Sequence, residues 1–116
     1  MSTLPRLLPL SLPPSHPDRP IVDQAIAALA TVIDPELGLD IYTLGLVQEL
    51  ELNEHGRLVV RFVFTTPFCP YGPTLMAAME SALGDVFSPT PALVVLARAW
   101  LPSEEVKALL GFPGSW

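Results

Sequence analysis

The sequence predicts a small α/β (α+β) domain in which a mixed β-sheet carries packed helices. The chain has 116 residues, half of them apolar and 16% charged, which is enough to bury one core and leaves no room for a second. Two stretches alternate apolar and polar residues, as half-buried strands do, and segments with helical apolar spacing lie before and after them. The predicted order of elements is helix, strand, strand, helix, strand, helix.

Residues 1–17 are predicted to form a flexible proline-rich arm, and residues 18–116 a single domain. Six of the fourteen prolines lie in the first twenty residues. Proline fixes its own φ and has no N–H donor, so the arm is expected to form neither helix nor sheet ladder. Deleting it to about Ser15 is expected to leave the fold intact. Its prolines also interrupt the leucines after Arg6, which argues against a signal peptide and for a cytoplasmic location.

The first helix is predicted to begin at Asp18, whose carboxylate can cap it, and to end before Pro35. Its apolar face is broad and follows helical spacing. The residues on that face are Ile21, Val22, Ala25, Ile26, Leu29, Ala30, Val32 and Ile33.

An antiparallel hairpin is predicted next, with strands on either side of the turn 53–56. In the stretch 45–53, Leu46, Leu50 and Leu52 alternate with Val47, Glu49 and Glu51. Along the second strand, the residues expected to face the core are Leu58, Val60, Phe62 and Phe64. The opposite face of the hairpin is expected to be wet.

A loop over 66–70 is followed by a helix whose apolar face holds Leu75, Met79, Ala82 and Leu83, and Gly84 is placed to end it. A strand over 92–100 follows. Because its connection from the second strand is a helical crossover, those two strands are expected to be parallel. Ser103 is predicted to cap a last helix that ends at Gly111.

Charge and composition argue against two classes of partner. Twelve acidic and six basic residues give a formal charge of −6, which would repel a nucleic-acid phosphate backbone. A membrane span needs about 20 uninterrupted apolar residues, and the sequence has no such run. The single cysteine, Cys69, cannot form an internal disulfide, and no Cys/His array has zinc spacing.

Cys69 is the candidate functional residue, because it lies between a predicted strand end and a predicted helix start. Backbone N–H groups and the helix dipole stabilise a thiolate at such a position, and a thiolate is a metal ligand or a nucleophile. Pro70 suits the first turn of the helix, which would make Cys69 the cap residue or place it one step earlier. The alternative is that Cys69 is a small buried apolar residue, as free cysteines often are.

Two groups of polar residues could act with Cys69. Thr65 and Thr66 could hydrogen-bond its sulfur or what it binds, or they could reflect ordinary strand propensity. Asp34, Glu36 and Asp40 could supply oxygen ligands or a general base. The alternative for these carboxylates is a solvated or capping role, which their spacing favours.

Several short motifs recur in order along the chain, and together they resemble the MIP18 family, formerly a domain of unknown function. The motifs are Asp34-Pro35-Glu36, Asp40-Ile41, Leu44-Gly45-Leu46-Val47, Thr65-Thr66-Pro67, Cys69-Pro70, Trp100 and Leu110-Gly111-Phe112. The resemblance covers about residues 21–112. Members of this family are associated with iron–sulfur protein maturation, among them bacterial SUF-linked factors.

The resemblance implies a compact α/β fold and a reactive cysteine at the position of Cys69. In this chain, Cys69 is the expected metal ligand. It also implies that Asp34, Glu36, Thr65 and Thr66 line the same site. The implied cofactor is a transient iron–sulfur cluster. Such a cluster usually has four protein ligands, so a monomer with one cysteine cannot hold it by thiolates alone. The implied partners are iron–sulfur assembly or client proteins, with a homodimer left open.

Three hypotheses follow. In the first, which the resemblance favours, the chain is an assembly or delivery factor without catalytic residues, and Cys69 is an exchangeable cluster ligand. In the second, Cys69 is the nucleophile of a thiol enzyme, with a carboxylate such as Glu36 assisting it. In the third, the chain is an adaptor that docks a client protein and does no chemistry.

Overall fold

The computed structural model describes residues 5–65 and 71–111, which form a four-stranded sheet and three helices. The strands are β1 (Arg6–Leu8), β2 (Val47–Leu52), β3 (Leu58–Phe62) and β4 (Ala92–Val95). The helices are α1 (Arg19–Leu29), α2 (Gly72–Gly84) and α3 (Glu104–Leu110). The predicted α/β fold class and order of elements are confirmed, with β1 as an addition. Within the described ranges, no helix has the length and apolar character needed to cross a bilayer.

The sheet has the order β1-β2-β3-β4. The strands β2 and β3 form the predicted antiparallel hairpin, and β3 and β4 are parallel, as a helical crossover through α2 requires. Asn53 stabilises the hairpin turn, since its side-chain oxygen accepts hydrogen bonds from the backbone N–H groups of His55 and Arg57. Gly56 takes a positive φ of 77° in this turn, which glycine adopts without strain.

The N-terminal segment contributes an edge strand, so the prediction that it forms no sheet ladder is wrong. Arg6–Leu8 pairs antiparallel with β2, and Leu8, which lies opposite Leu50, is only 1% exposed. Pro5 and Pro9 flank the strand, and the residues between them keep their N–H donors. Proline therefore limits β1 to a short edge and does not prevent it.

A β-bulge in β2 corrects the predicted face of Val47. The register shifts between Val47 and Glu49, so that Val47 lies opposite Phe62 while Leu50 lies opposite Val60. The extra residue turns Val47 onto the same face as Leu50, and Val47 is buried, where strict alternation would place it with Glu49 on the wet face.

Helix α1 is shorter than predicted. It ends at Leu29, and Ile33 is exposed. The following residues pair their backbone with the chain beyond the loop, since Asp34 N–H donates to the Leu39 carbonyl and Ile41 N–H to the Val32 carbonyl. At the other end, Asp18 occupies the N-cap position, but its side chain makes no capping hydrogen bond and binds Arg6 instead.

The core lies between the sheet and the two longer helices. Leu75, Met79 and Leu83 are the buried residues of the apolar face predicted for α2, which ends at Gly84 as expected. Ser103 caps α3 by accepting a hydrogen bond from Val106 N–H, and Gly111 ends this helix with a positive φ of 74°. Strand β4 ends at Val95, earlier than predicted, because the chain over 96–100 turns to bring Trp100 into the core.

Candidate functional site

The carboxyl ends of the parallel strands β3 and β4 lie side by side, with Phe62 opposite Val95. The Leu96 N–H donates to the Phe62 carbonyl, which continues the pairing to the last residue of β3. In parallel β-α-β units, ligands bind beyond this edge, because the loops leaving the strands form a crevice there. The connection from β3 to α2 starts at this edge and contains Cys69.

A cavity of about 560 Å³ opens at this edge. Its described lining residues come from the segments that leave β3 and β4, and most are apolar. They are Phe64, Thr65, Val95, Leu96, Ala97, Arg98, Ala99 and Trp100. Arg98 is the one charged side chain among these described lining residues, so the walls suit a ligand with an apolar body and a negative group.

Two contacts fix the walls of the cavity. The indole Nε1 of Trp100 donates a buried hydrogen bond of 2.7 Å to the Leu44 carbonyl, which ties the segment after β4 to the loop before β2. The Phe64 ring meets the Phe62 ring edge to face, with centroids 5.4 Å apart. A Cβ on Gly72 would lie 3.3 Å from the Phe64 ring, so the glycine lets the start of α2 approach this wall closely.

Helix α2 begins at Gly72 with Tyr71 at the N-cap position and Pro73 in its first turn. The prediction that Cys69 caps this helix, or precedes its cap by one residue, is therefore wrong by position, since Cys69 lies two residues before the cap in the sequence. No acidic residue occupies the first turn of α2. Cys69 and Thr66 themselves lie outside the described residues.

The acidic loop has a structural arrangement. Asp34 is 1% exposed, and its Oδ1 accepts hydrogen bonds from the backbone N–H groups of Glu36 (2.8 Å) and Leu37 (3.2 Å). The Oδ2 of Asp40 accepts one from Thr43 N–H at 2.8 Å. Both carboxylates thus stabilise turns, which is the capping alternative that the spacing favours.

Of the predicted site residues, the structure places Thr65 on the cavity wall, whereas Asp34 and Glu36 are absent from its described lining. Glu36 is exposed. Within residues 5–65 and 71–111, no three His, Cys, Asp or Glu side chains come close enough together to hold a metal ion.

Arg98 is the lining residue that the sequence analysis missed. It is the only charged residue in the otherwise apolar stretch from Ala92 to Trp100. A lone charged residue in such a stretch indicates a position at a strand edge or in a loop, because a charged side chain is almost never buried unless it is paired. Here Arg98 Nη2 lies 3.9 Å from Glu49 Oε1 on the sheet.

Comparison with known proteins gives this geometry a context. Residues 22–90 match the sequence model of a family described as iron–sulfur cluster assembly protein. The chain is similar to the Fe-S protein maturation auxiliary factor YitW of Bacillus subtilis, with 36% identity over 64 residues, 55% of this chain and 63% of the relative. It is also similar to the auxiliary factor SufT of Staphylococcus aureus, with 38% identity over 55 residues, 47% of this chain and 62% of the relative. The matched region thus spans a little under two thirds of either relative.

Two solved structures share the fold. One is a DUF59 domain of unknown function from Bacillus anthracis, with a TM-score of 0.67 and 28% identity, covering 78% of this chain and 92% of that one. The other is a conserved hypothetical protein from Thermotoga maritima, with a TM-score of 0.66 and 29% identity, covering 77% of this chain and 92% of that one.

Proposed function

Since the chain belongs to the family of iron–sulfur cluster assembly proteins, we propose that it is an auxiliary factor in iron–sulfur protein maturation, with Cys69 as an exchangeable ligand of the delivered cluster. The family membership agrees with the resemblance to the MIP18 family. The cluster is cargo in this proposal, and the protein holds it only between a donor and a client.

The observation that carries the proposal is the position of the only cysteine of the chain. Cys69 belongs, by sequence, to the connection that leaves β3 after Phe62, passes Thr65 on the cavity wall and reaches Tyr71, the N-cap of α2. Cys69 precedes Tyr71, the N-cap residue of α2, by two positions in the sequence. The positive end of α2 has no acidic residue in its first turn, and a helix N-terminus favours a thiolate over a thiol in a cysteine near it.

Ligand number supports delivery over storage. Iron–sulfur clusters in proteins usually have four ligands, and this chain supplies one thiolate. The remaining ligands then come from small thiols or from a partner, and such ligands exchange readily. A cluster bound in this way is suited to transfer.

The other predicted site residues have supporting roles in this proposal. Thr65 lines the cavity, and its hydroxyl, with that of Thr66, would donate hydrogen bonds to cluster or thiolate sulfur. Asp34 would act through the loop whose turn its carboxylate stabilises, and Glu36 would face an incoming partner from that loop. The partners are iron–sulfur assembly or client proteins, and the proposed location is the cytoplasm.

A thiol enzyme would need a base near Cys69, and the histidines give it no support. His16 accepts a hydrogen bond from the backbone of Asp18 before α1. His55 lies in the hairpin turn, at the opposite end of β3 from the cavity. Neither is among the described lining residues.

Anaerobic reconstitution with iron, sulfide and a small thiol tests the proposal. The wild type is expected to acquire iron and sulfide with visible charge-transfer absorption, because Cys69 anchors the cluster. Cys69→Ser and Cys69→Ala are expected to lose that uptake, while Thr65→Val keeps part of it. Uptake by Cys69→Ala equal to that of wild type would overturn the ligand assignment. Thiol-dependent turnover of small thioesters without uptake would favour the enzyme hypothesis.

A further inference from the structure

We propose that the cavity beyond β3 and β4 binds a low-molecular-weight thiol that carries a carboxylate, and that Arg98 pairs with this carboxylate. The inference deepens the proposed function and rests on it, because a cluster with one thiolate from the chain needs thiols from elsewhere. It names the source of those thiols as a small molecule that the chain itself binds.

The size and lining of the cavity define the class of ligand. A volume of about 560 Å³ lies within the range of small-molecule sites, which is about 300–1,000 Å³. The walls from Phe64 and from Val95 to Trp100 offer mainly apolar contact, and Arg98 offers the one positive group in the described lining. The volume admits a molecule of up to about tripeptide size, the apolar walls can pack against its carbon atoms, and Arg98 can pair with its carboxylate.

Among the contacts within the described residues, Arg98 has the longest ion-pair distance of the six basic side chains. Its ion pair with Glu49 has an N–O distance of 3.9 Å, and both side chains are about half exposed. The other five basic residues have closer polar contacts. These are Arg6 with Asp18 at 2.8 Å, Arg19 with Asp23 at 2.7 Å, Arg57 with the Thr90 carbonyl at 2.8 Å, Arg61 with Glu51 at 3.3 Å and Lys107 with Glu104 at 3.1 Å.

If Arg98 turned toward the cavity, its present partner Glu49 would still have a cation nearby. Arg61 Nη1 lies 3.9 Å from the other carboxylate oxygen of Glu49, so Glu49 keeps a cation beside it. An exposed ion pair of this length adds little to stability, so exchanging Glu49 for the carboxylate of a ligand costs little.

The net charge of the chain makes a local cation necessary. A net charge of −6 disfavours small anions near the protein as a whole, so binding one requires a local cation such as Arg98. Thr65 lines the same cavity and is separated from Cys69 by three residues in the sequence. The cavity therefore adjoins the segment that supplies the thiolate.

Titration with S-methylglutathione tests the proposal without cluster chemistry. This probe is a small thiol whose sulfur is blocked by a methyl group, so it keeps the carboxylates and cannot bind iron as a thiolate. Binding is followed by backbone amide shifts of the isotope-labelled protein. Shifts are expected at Thr65 and over 95–100. Arg98→Gln is expected to raise the Kd at least about ten-fold, because one charge-assisted hydrogen bond is lost. Arg98→Lys is expected to raise the Kd by less. The diethyl ester of the probe, which lacks the carboxylates, is expected to bind as weakly to wild type as the acid does to Arg98→Gln.

Arg57→Gln is the matched control, because it removes the same charge at the opposite end of β3. Its Kd is expected to stay within about two-fold of wild type. Absence of binding up to about 10 mM, shifts confined to other surfaces, or equal Kd values for Arg98→Gln and wild type would overturn the proposal. If Arg98→Gln does not fold, Arg98→Lys and the ester probe decide.

The two proposals fail in different ways. Cys69→Ser is expected to bind S-methylglutathione as wild type does, since the probe needs the cavity and not the thiolate. Probe binding without cluster uptake by wild type would remove the delivery function and keep the thiol site. Cluster uptake without probe binding would remove the thiol site and keep the function.

Discussion

The guanidinium of Arg6 binds both carboxylate oxygens of Asp18, at 2.9 Å from Nε and 2.8 Å from Nη2. This bidentate pair joins edge strand β1 to the start of α1, so the N-terminal segment is fastened by an ion pair as well as by the sheet. The proline-rich stretch between these residues is thereby closed into a loop at the side of the domain.

Leu8→Ala is expected to destabilise the protein by about 2–5 kcal/mol, because Leu8 is fully buried against β2. Leu7→Ala is the matched control. Leu7 is 59% exposed, and its loss is expected to change the free energy of unfolding by about 0.5 kcal/mol or less. Urea unfolding measures both, and equal small effects would show that β1 is not part of the core.

Asp18→Asn is expected to destabilise the protein in a pH-dependent way. The hydrogen bond from Arg6 holds the pKa of Asp18 below its ordinary value. A carboxylate with a lowered folded-state pKa stabilises the fold above its unfolded pKa, and this contribution is lost as the pH falls through the folded-state value. The difference in the free energy of unfolding between wild type and Asp18→Asn is therefore expected to be largest near neutral pH and to shrink below about pH 4.

Asp23→Asn is the control for this pH dependence, because Asp23 pairs with Arg19 on the exposed face of α1. Removing an exposed pair is expected to change stability little at any pH. An Asp18→Asn difference that stays constant down to about pH 3 would contradict the assigned ion pair.

Trp100→Phe is expected to cost about 1–3 kcal/mol of stability, because it removes the indole donor from the buried Leu44 carbonyl while keeping an aromatic ring. The same variant is expected to alter the amide shifts of residues 95–99, since this bond positions one wall of the cavity. Unchanged stability together with unchanged shifts would show that the wall is held by other contacts.

Phe62→Ala is expected to destabilise the protein by about 3–5 kcal/mol, because Phe62 is 1% exposed on the core face of β3. Phe64→Ala is expected to cost less, since Phe64 is half-buried on the cavity wall. A cost below about 1 kcal/mol for Phe62→Ala would mean that the faces of β3 are assigned the wrong way round.

Much of the fold could be predicted because its patterns are local. The period of two in β2 and β3, the helical spacing of Leu75, Met79 and Leu83, and the cap at Ser103 all depend on residues close in sequence. The features that could not be predicted depend on contacts between residues that are far apart in the sequence. Strand β1 needs β2 more than 40 residues away, and the bulge beside Val47 depends on its pairing with β3.

The candidate site also contains residues that the local sequence indicates and residues that only long-range contacts place. Thr65 follows a strand that is visible in the sequence and lines the cavity, whereas Arg98 reaches the cavity through a loop that Trp100 fixes to Leu44, 56 residues away. The role of Thr65 at a binding site stays a prediction. For Asp34, the turn-stabilising role could be predicted from neighbouring residues, and its hydrogen bonds to the N–H groups of Glu36 and Leu37 show it. Its role at the site stays a prediction.

The most direct test of the central claim is cluster transfer from the reconstituted protein to an apo-ferredoxin, followed by visible circular dichroism under anaerobic conditions. The wild type is expected to transfer its cluster faster than free iron and sulfide assemble one on the same acceptor, and transfer is expected to persist with an iron chelator present. Cys69→Ala is expected to give no more than the free-iron rate. A Cys69→Ala protein that transfers clusters at the wild-type rate would contradict the account.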